Sequence, residues 1–498
     1  MQRFLPGAHR GRPLRSGAAS CAALAWLLAA AGGASAGELL VEVPADKSVP
    51  VHETVLRARA VRIDFDALLE GTQALEPSPA ERLTLTLWPG HTVEAVYDEA
   101  AAERASERFV WVGRLIGPDE GQVVLLASGG QLVGSVRTPA GIFRIRPEGP
   151  GDVHVVEEID LSALPPEIPP VPFDLPESSL PSPIDKAATA ASDDGSTIDL
   201  LVVYTAAARV FLEPFSGLEN LVQLSLAEGN VALANSGVIP RLRLVHLAQI
   251  AYDEPTVIPE PISDMLTKLV DPRDGAMDEV HALRDRFGAD LVQLVPRSRD
   301  GCGIAFLMGG SNNTAFAAAA FGVTSAICLA PEVAFIHEIG HNLGCNHAPQ
   351  DPVGRGAFPY SFGYKQPDKR FHTVMAYPCE LGCPSVLHFS NPAVRYQGEV
   401  TGTDTQNNVR SINNVRHLVA NFRAAVGGGG TGGTGGTCNA KKSKFKGCRG
   451  GGCKVCEEKI ADYPSYLANH PGCEVNTRCK GKYVKCSRTC PAPAEADR

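Results

Sequence analysis

Residues 335–347 read Phe335-Ile336-His337-Glu338-Ile339-Gly340-His341-Asn342-Leu343-Gly344-Cys345-Asn346-His347. Apolar Val333, Ile336, Ile339 and Leu343 recur at helical spacing, and Pro331 suits a first helical turn. His337 and His341 then stand four residues apart, one above the other on a single face. Imidazoles so placed reach one Zn²⁺ at about 2.0–2.1 Å. Glu338 projects beside that face, where a carboxylate can take a proton from a zinc-bound water. Gly344 can adopt the left-handed C′ conformation that ends a helix abruptly. His347, three residues on, then completes a three-histidine set with a fourth position open to water, the pattern of a catalytic zinc. In a chain with 13 histidines, the first histidine pair and glutamate arise by chance with odds of roughly 2 in 100, and the added Gly and His lower this to on the order of 1 in 10,000.

Around this segment the texture alternates between strand and helix. Ile198–Tyr204 is an apolar strand, Gly217–Ser236 a helix closed by Gly237, and Arg241–Ile250 a strand. Met277–Phe287 is a helix stopped by Gly288, Leu291–Val295 a strand, and Val409–Ala425 a closing helix with Val415, Leu418, Val419 and Phe422 on one stripe. The order predicts an α/β (α+β) domain over 195–426, with a mostly parallel twisted sheet and crossover helices.

Further out, the first 36 residues read as a secretory signal. Four arginines precede an apolar core, and Ala34-Ser35-Ala36 is a cleavage site. Residues 37 to about 163 are β-rich: Leu83–Trp88 alternates, and short apolar runs separated by Gly-Pro-Asp, Gly-Gly and Pro-Ala-Gly follow as a meander of hairpins. Between Pro165 and Pro183 eight residues are proline, read as a stiff, exposed spacer that closes a leader spanning 37–190. Gly427–Thr437 contains only Gly and Thr, a flexible tether. Residues 438–498 form a basic, Cys-rich module in which Cys438–Cys490 holds 12 Lys+Arg and 4 Asp+Glu, a net of +8.

Composition narrows the class. A chain of 498 residues suggests roughly two to four domains. Gly (50) and Pro (38) follow no period, which excludes collagen, and 44% hydrophobic residues exclude global disorder. A charge of −9 gives no reason to expect specific nucleic-acid binding, and no apolar run of about 18 residues follows the signal. The expected location is secreted, with the periplasm as a transit stage. In an oxidising compartment the 13 cysteines beyond Cys21 are mostly disulfides, with at least one left over. Cys453-Lys454-Val455-Cys456 superficially suggests a zinc ribbon, but disulfides are favoured for an exported module this small.

His337-Glu338-x-x-His341-x-x-Gly344-x-x-His347 resembles the zinc signature of the metzincin clan of metalloendopeptidases. Thr373-Val374-Met375-Ala376-Tyr377 resembles the clan's Met-turn, which implies that Met375 packs beneath the zinc. Phe389-Ser390-Asn391-Pro392, Asn413-Asn414 and Asn421-Phe422-Arg423 are similar to secreted bacterial reprolysin-like (M12-type) peptidases, and Arg144-Ile145-Arg146-Pro147 to their propeptides. Ala348 departs from the adamalysin type, which carries aspartate there. Tyr377 is more like astacins and serralysins, where a tyrosine contacts zinc or the oxyanion.

The resemblance implies a zinc metalloendopeptidase that acts on protein or peptide substrates and is made as a zymogen, with 37–190 as propeptide. His337, His341 and His347 are the expected ligands of one Zn²⁺, Glu338 the base that activates its water, and Tyr377 a candidate oxyanion donor. Gly344 and Met375 support the site. A structural Ca²⁺ is a second candidate cofactor, with no site readable in the residues. The leader has no cysteine, so a cysteine switch is excluded. Asp152, His154 and a carboxylate near Glu157 are its candidate metal ligands, with plain solvated charge the favoured reading. The competing function is a non-catalytic secreted zinc-containing protein that binds through its tail. Basic residues and Tyr463, Tyr466 and Tyr483 within 438–490 suit anionic polysaccharide or a cell surface.

Overall fold

The computed structural model describes residues 37–426, apart from 44–51, 71–77, 100–108, 118–120, 174–192 and breaks at 150, 214–216, 256–258, 311–312, 330–332, 369 and 381. Beyond 426 it describes the strand segments 457–459, 473–475 and 483–486. The signal segment, Pro331, the Gly/Thr tether and most of the tail, with its expected disulfides, lie outside the described residues.

The leader is a ten-stranded sheet. Its order is Gly37–Glu38, Arg82–Trp88, His91–Tyr97, Val110–Ile116, Gln122–Ser128, Gln131–Thr138, Gly141–Pro147, Val153–Ile159, Val55–Ile63 and Leu40–Glu42. The two outermost members belong to one stretch of chain. Gly37–Glu38 runs parallel to Arg82–Trp88, and Leu40–Glu42 antiparallel to Val55–Ile63. Between them, Leu39 donates to the Thr84 carbonyl (2.9 Å) and accepts from the Asp64 N–H (3.0 Å). Residues 37–42 therefore stitch the two edges together, and the expected meander curls into a nearly closed barrel that leaves little unpaired edge.

Alternation decides what faces inward. Leu83, Leu85, Leu87, Val93, Ala95 and Trp111 fill the barrel, and the buried Trp111 indole donates to the Ala80 carbonyl (2.9 Å). The opposite parity carries Val110, Val112, Val124, Leu126 and Val133, which share one core with the helix Leu218–Ser236. That helix is apolar on nearly every face because it is covered by the barrel on one side and by the second sheet on the other. Its buried Glu228 meets Ser135 and Arg137 of the barrel.

The leader's polar candidates are wired into the barrel. The Glu157 carboxylate accepts from Arg144 (2.6 and 2.8 Å) and from Arg146 (2.7 Å), and all three side chains are buried. Burial alone would raise its pKa, but the two guanidiniums overcome that and hold it below the usual carboxylate range. His154 is fully buried. Its Nε2 accepts from the Leu132 N–H (3.0 Å) and its Nδ1 faces the Asp152 carbonyl (3.0 Å), while burial lowers its pKa. Asp152 pairs with Arg62 (3.0 Å). His154 and Glu157 are thus neither solvated charges nor metal ligands. They are satisfied barrel groups: they lie on opposite faces of one strand, and both faces are covered there. Glu157→Gln leaves the buried Arg144 guanidinium without its anion and Arg146 with Glu148 as its remaining carboxylate, and we expect a loss of about 3 kcal/mol, read as a lower denaturant midpoint for the full chain.

The second sheet has six strands, ordered Val171–Phe173, Gly303–Met308, Phe321–Thr324, Leu291–Val295, Thr197–Tyr204 and Arg241–Gln249. All pairings are parallel except that of Gly303–Met308 with Phe321–Thr324. Thr197–Tyr204 has a strand on either side and is buried on both faces, as its apolar run Leu200–Tyr204 requires. With its helices this is an α/β domain. Two departures matter. The closing helix spans Asn408–Val419 and stops short of Ala425. Val171–Phe173, assigned by composition to an exposed spacer, is instead an edge strand of this sheet.

Cys302–Cys328 and Cys379–Cys383 are disulfides, and Cys345 is a buried free thiol. In the tail, Glu457–Lys459, Tyr483–Cys486 and Cys473–Val475 pair antiparallel, with Cys473 opposite Cys486. Among the described residues no helix is long and apolar enough to cross a membrane.

Candidate active site

The helix Ala334–Asn342 is buried along its whole length. Asn342 fastens it to the second sheet by donating to the Phe306 (2.9 Å) and Phe321 (3.1 Å) carbonyls. On the other side Ile336 lies against Gly229 of the long helix, where a side-chain carbon would come within 3.3 Å. The helix then stops. Gly344 has φ +77°, and the Cys345 N–H turns back to the Gly340 carbonyl (2.9 Å). The reversed chain brings His347 over the helix.

The three imidazoles converge. Nε2 of His337 lies 3.2 Å from that of His347 and 3.1 Å from that of His341, and the last two are 3.1 Å apart. Nδ1 of His337 faces the Val374 carbonyl (2.7 Å) and Nδ1 of His341 the Cys345 carbonyl (2.8 Å). A carbonyl only accepts, so both Nδ1 atoms carry the proton and both Nε2 atoms present lone pairs. Burial, reinforced by the neighbouring imidazoles, pushes His341 far down and His347 to about 3, which keeps both neutral. Lone pairs of buried imidazoles facing one another suit a cation between them. The edges of a tetrahedron with about 2.0–2.1 Å metal–nitrogen bonds measure about 3.3 Å, so the residues fit a zinc-sized ion.

The other expected site residues gather here too. Both Glu338 oxygens are buried without a hydrogen-bond partner in the protein. Burial, followed by the charge of Glu167, raises its pKa well above the usual carboxylate range. The Tyr377 ring lies 4.1 Å from that of His347, and its buried hydroxyl has no partner in the protein. Burial first, then the Glu167 and Glu338 carboxylates, raise its pKa, so it stays a donor. Met375 is fully buried, with its sulfur against Gly340 between the first two histidines. A buried carboxylate, a buried hydroxyl and a metal-sized gap between imidazoles suit a mononuclear metallohydrolase.

The sequence profile of the reprolysin-like metallopeptidases of family M12B matches residues 221–348. A peptidyl-Asp metalloendopeptidase of Stenotrophomonas maltophilia (strain R551-3) is 30% identical over 422 residues, covering 82% of this chain and 91% of that protein. Its counterpart from Xanthomonas campestris pv. campestris is 29% identical over 405 residues, covering 78% and 91%. Metalloproteinase-II of Bacteroides fragilis, a solved structure, shares 12% identity at a TM-score of 0.34 and covers 55% of this chain and 85% of that one. The chain belongs to the family of reprolysin-like zinc metalloendopeptidases.

Two residues of the site escaped sequence reading. Gly303 opens the strand beside the histidine helix, and a side-chain carbon there would fall 2.3 Å from Glu338 Oε1. The only signal was the Gly301-Cys302-Gly303 run at a strand start. The second is Glu167, whose carboxylate groups with His337 and Glu338, the ligand atoms lying within 4.8 Å of one another. The flanking prolines hid it as part of a spacer. Because Gly303→Ala pushes the Glu338 carboxylate aside and touches no histidine, we expect unchanged metal content by elemental analysis. Peptide turnover should fall about a hundredfold, the scale of a 1 Å misplacement.

Proposed function

We propose that the chain is a secreted zinc endopeptidase made as a zymogen, with 1–36 as signal, 37–190 as propeptide and 195–426 as the catalytic domain. The observation that carries the reading is the convergence of three imidazoles beside an unpartnered, buried carboxylate. Zinc held by His337, His341 and His347 supplies a Lewis acid and a water of lowered pKa. Glu338, kept basic by its apolar surroundings, accepts the proton of the attacking water and returns it to the leaving amine. The Tyr377 hydroxyl, with no competing partner, donates to the oxyanion. Met375 and Gly344 fix the positions of the histidines.

The reading includes cleavage beside aspartate, supported by the names of the relatives. A non-catalytic binding protein is disfavoured by the retained Glu338. Glu338→Gln should keep its zinc and lose peptidase activity at least about a hundredfold. The check is elemental analysis paired with a peptide library read by mass spectrometry, with and without chelator. Unchanged turnover in the metal-replete variant sinks the mechanism, and cuts indifferent to aspartate sink the specificity.

The tail is proposed as an adaptor. The net of +8 on Cys438–Cys490 leaves −17 on the rest of the chain, so the tail is suited to an external anionic surface and raises the local enzyme concentration there. Deleting 427–498 should leave cleavage of a short soluble peptide unchanged but abolish retention on anionic polysaccharide at low salt. In the intact chain that retention should weaken as the screening length falls from about 10 Å at 0.1 M to 3 Å at 1 M.

A further inference from the structure

Glu338 and Tyr377 have roles in the proposed chemistry. A third oxygen-bearing side chain in the same cavity, Glu167, does not, and it comes from the leader. The segment from Leu161 to Phe173 leaves the barrel and is laid along the catalytic domain. Leu164 packs on the cluster of Cys302, Cys328 and Ala334. The Pro166 carbonyl accepts from the Cys302 N–H (3.0 Å), and Ile168 occupies the space over Gly301, where a side-chain carbon would fall within 2.2 Å of it. Val171 pairs with Phe306 and Phe173 with Met308, in parallel register. The Phe173 ring is held edge-on by Phe306 and Phe316, with centroids 6.4 and 5.6 Å away. This strap is therefore an added strand on the edge Gly303–Met308, whose first residue touches the Glu338 carboxylate. An extended peptide seeking that edge by strand addition must displace it.

Between the two anchored ends stands Glu167. Its carboxylate lies with His337 and Glu338, ligand atoms within 4.8 Å, and its Oε2 is buried with no hydrogen-bond partner in the protein. Leu164 and Glu167 of the strap line a cavity of ≈ 380 Å³ together with Cys302, His337 and Tyr377 of the catalytic domain. Burying a carboxylate oxygen beside a second carboxylate, with no hydrogen bond to that oxygen, is costly. A dication between the imidazoles removes that cost. The flanking Pro165, Pro166, Pro169 and Pro170 fix the chain as extended and lower the entropy lost in holding the strap.

We infer that Glu167 is the latency ligand of this centre: in the uncleaved chain its carboxylate takes the metal position left open by His337, His341 and His347. The strap at the same time fills the edge that a peptide would use. The proposal deepens the zymogen reading and rests on it. It gives the cysteine-free leader a way to silence the metal with oxygen, and cleavage within 174–192 releases the leader's covalent hold.

The test uses the full chain loaded with Co²⁺, whose visible spectrum reports the ligands, and acetohydroxamate as a metal-directed probe. Glu167→Gln keeps the bulk of the strap and removes its charge. We expect it to hold one metal per chain, to change the cobalt spectrum before any probe is added, and to bind acetohydroxamate at least about tenfold more tightly, since less of the centre is capped. A spectrum and affinity equal to wild type overturn the proposal and leave the strap as a steric plug. The wild-type chain offers a measurement that needs no variant. Cleaving within 174–192 and removing the leader should change the cobalt spectrum, and an unchanged spectrum overturns the proposal equally. His341→Ala separates the two levels: if it binds cobalt as wild type does, the three-histidine centre itself is wrong, whatever Glu167 does.

Discussion

Three imidazole Nε2 atoms directed at one another across 3.1–3.2 Å are the constraint on which the rest of the structure turns. Without a cation the lone pairs of His337 and His341 repel each other. The arrangement persists because each histidine is held from behind. The Val374 and Cys345 carbonyls fix two of the rings, and the turn at Gly344 fixes the approach of the third. Met375 beneath Gly340 lets the helix and the loop that supplies the Val374 carbonyl approach closely. The same low dielectric that makes the ring positions costly leaves Glu338 basic and Tyr377 protonated. One desolvated pocket thus serves binding, base strength and donor state together.

How much of this could be read from sequence follows from how local each feature is. The helix, its end and its three histidines lie within 13 consecutive residues and obey one periodicity, so they were legible without any long-range contact. The crossover strands and helices were legible for the same reason, since Gly237 and Gly288 both sit in the left-handed positions that end helices. Closure of the barrel was not. It depends on Leu39 bonding to strands on both sides, and no pattern within residues 37–42 announces that. Arg144 and Arg146 were visible as a family-like run, but their purpose needs Glu157 from the neighbouring strand. Asn391 and Asn421 were visible in the same way. Asn391 donates to the last carbonyl of the long helix (2.7 Å) and Asn421 bonds both ways with Asp193, which are tertiary facts.

The proline-rich stretch shows where composition misleads. Prolines lack the N–H that a ladder needs, so a run of them reads as a spacer. Here strand addition requires only what the segment still has: carbonyls, and a chain already extended. Pro166 supplies its carbonyl to Cys302, and Val171–Phe173 finish the strand where proline thins out. Glu167 is then the one ionisable group on a rigid, extended track that passes the metal site.

The contact between barrel and catalytic domain carries a further consequence. It is continuous with the core of the catalytic domain, and a permanent joint of that kind gains most from purely apolar side chains. Position 228 instead holds a glutamate, buried among Val124, Leu126 and Val133 and partnered by Ser135 and Arg137. A buried ion pair of this sort adds little net stability, because desolvation offsets the attraction. Once the surfaces part, however, the same carboxylate is readily hydrated, whereas a leucine there would enlarge an exposed apolar patch. The joint is therefore specific while closed and tolerable when open. That balance suits the propeptide role proposed for the leader.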